Sequence, residues 1–165
     1  MNLDALKSIP DEAPLWIYAF KEPLGERDRR VVRKSLSTFM QTWHSHNVDV
    51  EGAFVILYDC FAILTAESED GISGCSLDSC VGNFKSLRDQ HGLDALDRSL
   101  VHYRDGQNAI RSSSREAFRA DVAGGRYGRD TIVFDLTIGT LGDLRAGRFE
   151  VPLADSWHAG AFLTA

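Results

Sequence analysis

The chain has 165 residues, 44% of them hydrophobic and 25% charged. That is the size of one domain and the composition of a globular protein, not a disordered one. Its net charge of −6 and sequence pI near 5.3 argue against broad binding to phosphate backbones, which needs clustered Lys and Arg.

Three cysteines, Cys60, Cys75 and Cys80, form no disulfide framework. The start, Met1-Asn2-Leu3-Asp4, lacks the basic and apolar regions of a signal peptide. No apolar stretch approaches the ~18 residues of a membrane span. The expectation is a cytoplasmic protein with neither a nucleic-acid nor a membrane partner.

Residues 1–13 read as a polar lead, either a short helix or a loose arm, and residues 15–20 as a first strand. Residues 27–46 form the clearest helix, with Val32, Leu36, Phe39 and Trp43 on one apolar stripe and Asn47 as its stop. The basic run from Arg27 to Lys34 is broken by acids and reads as a solvated helix face. Residues 53–58 and 61–66 are two strand-like runs joined at Asp59-Cys60 as a tight hairpin.

An acidic, glycine-rich loop over 67–74 leads into a second helix over 76–91. Leu77, Val81, Phe84 and Leu87 form its stripe, and Gly92 ends it. Residues 100–103 predict a strand, Asp105-Gly106 a turn, and 107–110 a segment pairing back across it. Ser112-Ser113-Ser114 are positioned to cap a helix over 115–122, which Gly124-Gly125 stops. A strand over 131–134, a short helix over 140–146 and a closing tail over 151–163 complete the chain.

The order through Tyr103 is β-α-β-β-α-β. The predicted fold class is therefore α+β: a ferredoxin-like antiparallel sheet with two helices on one face, extended by a C-terminal α/β segment, in a single domain over 1–165.

Several chemistries lack their signatures. There is no phosphate-binding Gly-x-x-x-x-Gly-Lys-Ser/Thr loop, no dinucleotide-binding Gly-x-Gly-x-x-Gly after a strand, and no Gly-x-Ser-x-Gly elbow. There is no Cys-x-x-Cys or His-x-x-x-His, and His44 and His46, two apart, point to different sides of a helix. No metal or cofactor is expected.

Two segments remain as a candidate site. In Ser73-Gly74-Cys75-Ser76-Leu77-Asp78 the glycine allows close ligand approach, the helix start favours anions, and a cysteine there gains thiolate character. The plainer reading has Ser76 as N-cap, Asp78 complementing the helix dipole, and Cys75 packed.

In Asp155-Ser156-Trp157-His158 the imidazole is a candidate base or ligand group, Asp155 its orienter, and Trp157 a pocket wall. The plainer reading is a cap, a plug and a backbone-bonded ring. Tyr103 and Arg104 close a strand where polar residues often line sites, although a turn with an exposed ion pair fits them too. Cys80 reads as core and Cys60 as part of the hairpin turn.

Ser73 to Asp78, Val101-His102-Tyr103-Arg104-Asp105, Thr131-Ile132-Val133-Phe134 and Ser156-Trp157-His158 together resemble an uncharacterised bacterial family of small proteins, over residues 16–162. Ser-Gly-Cys-Ser-Ile-Asp and Ser-Trp-His strings are shared among its members; here Leu77 stands in place of the Ile. Some members carry an automatic "ABC transporter ATPase" label, which this sequence does not support, because the phosphate-binding loop is missing. The resemblance implies a shared site and no particular reaction.

Three functions follow as expectations. One is a small-ligand-binding or regulatory domain, its pocket between the Gly74-Cys75-Ser76 helix start and the Ser156-Trp157-His158 segment. Another is an acyl-transfer or hydrolytic enzyme with Cys75 as nucleophile and His158 as base. The third is a structural protein, homodimeric through a sheet edge.

Overall fold

The computed structural model describes residues 3–45, 48–67 and 74–163, with the side chains of residues 44, 45, 48, 49, 75 and 76 left out. It is α+β with antiparallel sheets. The chain divides into two compact units: Met1–Leu96 with Gly139–Gly142, and Asp97–Ile138 with Asp143–Ala165.

In the first unit the elements are β1 (Leu15–Ala19), α1 (Glu26–Gln41), the two-residue strands β2 (His44–Ser45) and β3 (Val48–Asp49), β4 (Glu51–Leu57), β5 (Phe61–Glu67) and α2 (Gly74–His91). The main sheet has the order β1-β5-β4, antiparallel throughout. As the central strand, β5 is sequestered from Phe61 to Ala66, which is why it reads as an unbroken apolar run with no alternation.

Register places Tyr18 opposite Ala62 and Trp16 opposite Leu64. It likewise sets Phe54 against Leu64 and Ile56 against Ala62. These residues share one face, and Val32 and Leu36 of α1 and Cys80, Phe84 and Leu87 of α2 pack on it. Tyr18 and Phe84 stack there with ring centroids 3.8 Å apart.

The hairpin turns through Tyr58 and Asp59, both at φ 53°, and Cys60 N–H donates to Leu57 O. Two positive φ angles are what a type I′ turn needs to match strand twist. Cys60 is buried in this turn, and its thiol donates to Phe20 O at 3.1 Å.

Helix α1 stops at Gln41, short of the predicted residue 46. Thr42 N–H turns back to Phe39 O, and Trp43 leaves the helical path to pack with Val50 and Ala66. Part of the expected helix end therefore becomes β2.

The segment Gly139–Gly142 returns to this unit. Thr140 bridges Pro14, and the backbones of Gly139 and Leu141 bond those of Leu15 and Ala13.

The second unit contains β6 (Leu100–Arg104), β7 (Ile110–Ser114), α3 (Arg115–Ala123), β8 (Ile132–Phe134), β9 (Glu150–Pro152) and α5 (His158–Phe162). A short helix α4 (Leu141–Arg145) precedes β9. The sheet order is β7-β6-β8-β9. Val101, Tyr103, Phe118, Val133, Leu153 and Phe162 make the core.

The strand expected to complete a four-stranded ferredoxin-like sheet is β6, and it pairs with β7 and β8. The first sheet is accordingly three-stranded. Between α2 and β6 the chain is turned by two carboxylates, Asp94 accepting from Leu96 N–H and Asp97 from Ser99 N–H.

Of the three serines expected to cap the third helix, Ser114 does so, accepting from Ala117 N–H at 3.1 Å. The other two belong to β7, which completes the hairpin predicted around Asp105-Gly106 a few residues later than expected. Among the described residues no helix is long and apolar enough to cross a membrane.

Candidate functional site

The two helices of the first unit enclose a cleft of ≈ 560 Å³. They run antiparallel: Gly25 and Asp28 at the start of α1 share a hollow with Gly92 to Asp94 just after α2. At mid-length the Ser35 hydroxyl donates to Asn83 Oδ1 at 2.9 Å. Beyond α1, strand β2 meets α2. At about 1.5 Å of rise per residue, Thr42 and the backbone of Ser76 both lie about 10 Å from this bond in the same direction. The first turn of α2 is therefore level with the Thr42 end of the cleft.

The cleft combines an apolar floor with a polar seam. Val31, Phe39 and Leu87 supply the floor, since the apolar stripes that grip the sheet end at these positions. Ser35 and Asn83 lie on the inner edge of those stripes. The Asn83 amide nitrogen is buried without a hydrogen-bond partner. Thr38, Thr42 and Ser86 add hydroxyls at the rim, while Lys34 and His91 bring the basic groups.

The predicted residues are placed as follows. Gly74 is the first residue of α2 and is exposed. The helix starts two residues earlier than expected, so the backbone of Cys75 and Ser76 forms its first turn and Ser76 is not the N-cap. Asp78 is exposed on the same helix. Ser73 and the side chains of Cys75 and Ser76 lie outside the described residues. Cys80 is fully buried, and desolvation raises its thiol to about 11, partly offset by a hydrogen bond with Tyr18.

In the second unit, a single-turn 3₁₀ helix (Leu153–Asp155) leads into Ser156. The Ser156 hydroxyl donates to Leu153 O at 3.1 Å, accepts from His158 N–H at 3.2 Å, and meets His158 Nδ1 at 3.0 Å. Its single proton goes to Leu153, so the third contact is made by an N–H on the ring. Nε2 then carries the lone pair.

His158 is 3% exposed. Burial lowers its pKa to about 4, against a smaller raising by the Asp135 carboxylate, and Arg115 lowers it further. The ring is neutral at pH 7, but it is a weaker base than one tuned to that pH.

Trp157, 40% exposed, stacks on His158 at 3.9 Å, and the Arg115 guanidinium lies 5.4 Å from its ring centre. One turn on, Arg119 sits over Phe162, so two cation–π pairs fasten α3 to α5 and to the Trp157 that precedes it. Asp155 is exposed; the residue bonded to the imidazole is its neighbour Ser156.

Tyr103 is a core residue, its ring 4.9 Å from Phe118 and 4.7 Å from Tyr127. Burial and the bond to Tyr103 push the Tyr127 phenol up to about 12. Arg104 pairs with Glu150 at 2.5 Å and donates to Asn108 O. The exposed ion pair at this turn is Arg111–Asp105.

The predicted site residues thus group by unit, Gly74 to Asp78 in the first and Tyr103, Arg104 and Asp155 to His158 in the second. Sequence reasoning missed the cleft. The available signal was a pair of polar residues, Ser35 and Asn83, each one position before a stripe residue on adjacent amphipathic helices. No protein-family model matches the chain, and comparisons with curated proteins and with solved structures likewise find no match.

Proposed function

We propose that the protein is a small-ligand-binding domain whose ligand lies in the α1–α2 cleft. The observation that carries this reading is a cleft of ≈ 560 Å³ with a buried, unpartnered amide nitrogen of Asn83 in its wall. Small-molecule sites typically measure about 300–1,000 Å³ and combine apolar walls with a few convergent polar groups. A buried polar group without a partner is rare in a fold and calls for an explanation, which a ligand-binding role would supply.

The first turn of α2, with Cys75, stands level with one end of the cleft.

The test is a fragment screen on the full chain read by backbone amide NMR. Hits should move amides over residues 31–42 and 83–91, and Thr38→Trp, which fills the cleft from its rim, should abolish those shifts while leaving the fold intact. Shifts confined to other parts of the chain, or hits unaffected by Thr38→Trp, would remove the cleft from consideration.

A further inference from the structure

We infer that the cleft takes an amphipathic monocarboxylate: a singly charged anionic head on an apolar body. The inference rests on the ligand-binding reading above and adds the chemistry of the ligand.

The first unit carries nine basic and fifteen acidic residues and so the whole net charge of −6. Its two helices hold four of the acids, Glu26, Asp28, Asp78 and Asp89. None of the four lines the cleft, where among the described residues the charged or chargeable groups are Lys34 and His91.

A cavity with no helical carboxylate in its lining repels an anion less than the acid-bearing parts of these helices do. Lys34 stands at the level of the Ser35–Asn83 bond on α1, and His91 lies about 12 Å farther along α2, toward the start of α1. Lys34 supplies the cation. Phe39 and Leu87 offer a surface for the apolar body.

The head is singly charged. Multiply charged phosphates are usually gripped by a fork of arginines or a nest of backbone N–H groups. Among the described residues no arginine lines this cleft.

The experiment titrates octanoate, octylamine and octanol into the full chain and follows the amides of residues 31–42 and 83–91. Octanoate should bind at least tenfold tighter than octylamine. The Lys34→Met/His91→Gln double variant, altered at two exposed positions, should weaken octanoate at least fivefold and leave octanol within twofold.

Octylamine binding as well as octanoate, or a double variant that weakens octanol equally, overturns the charge assignment. If octanol or octylamine still moves the cleft amides in that case, the ligand-binding reading stands alone. If neither these probes nor any fragment moves them, both readings fall.

Discussion

The Ser35 hydroxyl donates to the Asn83 carboxamide oxygen across 2.9 Å, joining α1 to α2 from positions 48 residues apart. The nitrogen of the same amide is buried without a partner. Turning the amide over exchanges the end that faces Ser35 and still leaves one end unmatched.

A buried donor without a partner costs about 1–3 kcal/mol, and a neutral hydrogen bond contributes about 0.5–1.5 kcal/mol. Asn83→Leu removes both, and Ser35, partly exposed, turns to water. The variant should therefore unfold in urea at a midpoint equal to or above the parent's, while its affinity for octanoate falls. A loss of more than about 2 kcal/mol would show that the amide is satisfied in solution and is not held open for a ligand.

Periodicity made much of this arrangement readable. The stripes Val32-Leu36-Phe39-Trp43 and Leu77-Val81-Phe84-Leu87 gave both helices, with Val32, Leu36, Phe84 and Leu87 on the faces they bury, and the short spacing at Asp59-Cys60 gave the hairpin. Sheet membership was not readable. The run Leu100 to Arg104 has the same local character whether it joins the first sheet or nucleates a second. Its pairing with β7 and β8 depends on partners downstream.

The cleft was hidden for a similar reason. Ser35 and Asn83 look like ordinary helix-surface polar residues until the antiparallel packing sets them opposite each other. The Ser156-Trp157-His158 cluster did stand out, but the burial of His158 could not be inferred from residue type. Burial turns the ring from a candidate base into a stacked, neutral group.

That burial makes stability depend on pH. In the unfolded chain the imidazole titrates near 6.5, and in the fold near 4. The folded form binds the proton more weakly, so its contribution is complete above about pH 6.5. It is lost progressively as pH falls towards 4, by about 3 kcal/mol in all.

Urea denaturation at pH 7.5, 5.5 and 4.5 should show this loss in the parent chain. It should be smaller by about that amount in His158→Phe, which keeps a ring against Trp157. Asp105, whose carboxyl is held low first by Arg111 and then by the Ala109 N–H, acts only below the usual carboxylate range, outside this window. Parallel pH profiles for the two proteins would mean that the ring reaches solvent.

Two thiols should be inert. Burial pushes Cys60 up to about 12 and Cys80 up to about 11, so neither supplies thiolate at neutral pH. Iodoacetamide at pH 7.5 should leave both unmodified in the native protein and label them in urea, with peptide mapping as the readout. Native-state labelling is then confined to Cys75, the remaining cysteine. A Cys75 rate no faster than that of a free peptide thiol would remove the activated nucleophile that the enzyme reading requires.

Gly52 is fixed by the ring beside it. A Cβ built there would lie 2.8 Å from Met40 Sδ and 2.8 Å from Trp43 Cε3, closer than real Cβ atoms come. The thioether can swing away. The indole cannot do so freely, because Trp43 is 2% exposed, tilted against Phe39 at 5.0 Å and edge-on to Trp16 at 5.9 Å. Gly52→Ala must displace that aromatic group or bend β4 away from it. Overpacking of this kind costs about 1–3 kcal/mol, against about 0.4–1 kcal/mol gained from a stiffer unfolded chain. The urea midpoint should drop, and tryptophan fluorescence should change in the folded state. An unchanged midpoint and spectrum would place Trp43 farther from β4 than the structure has it.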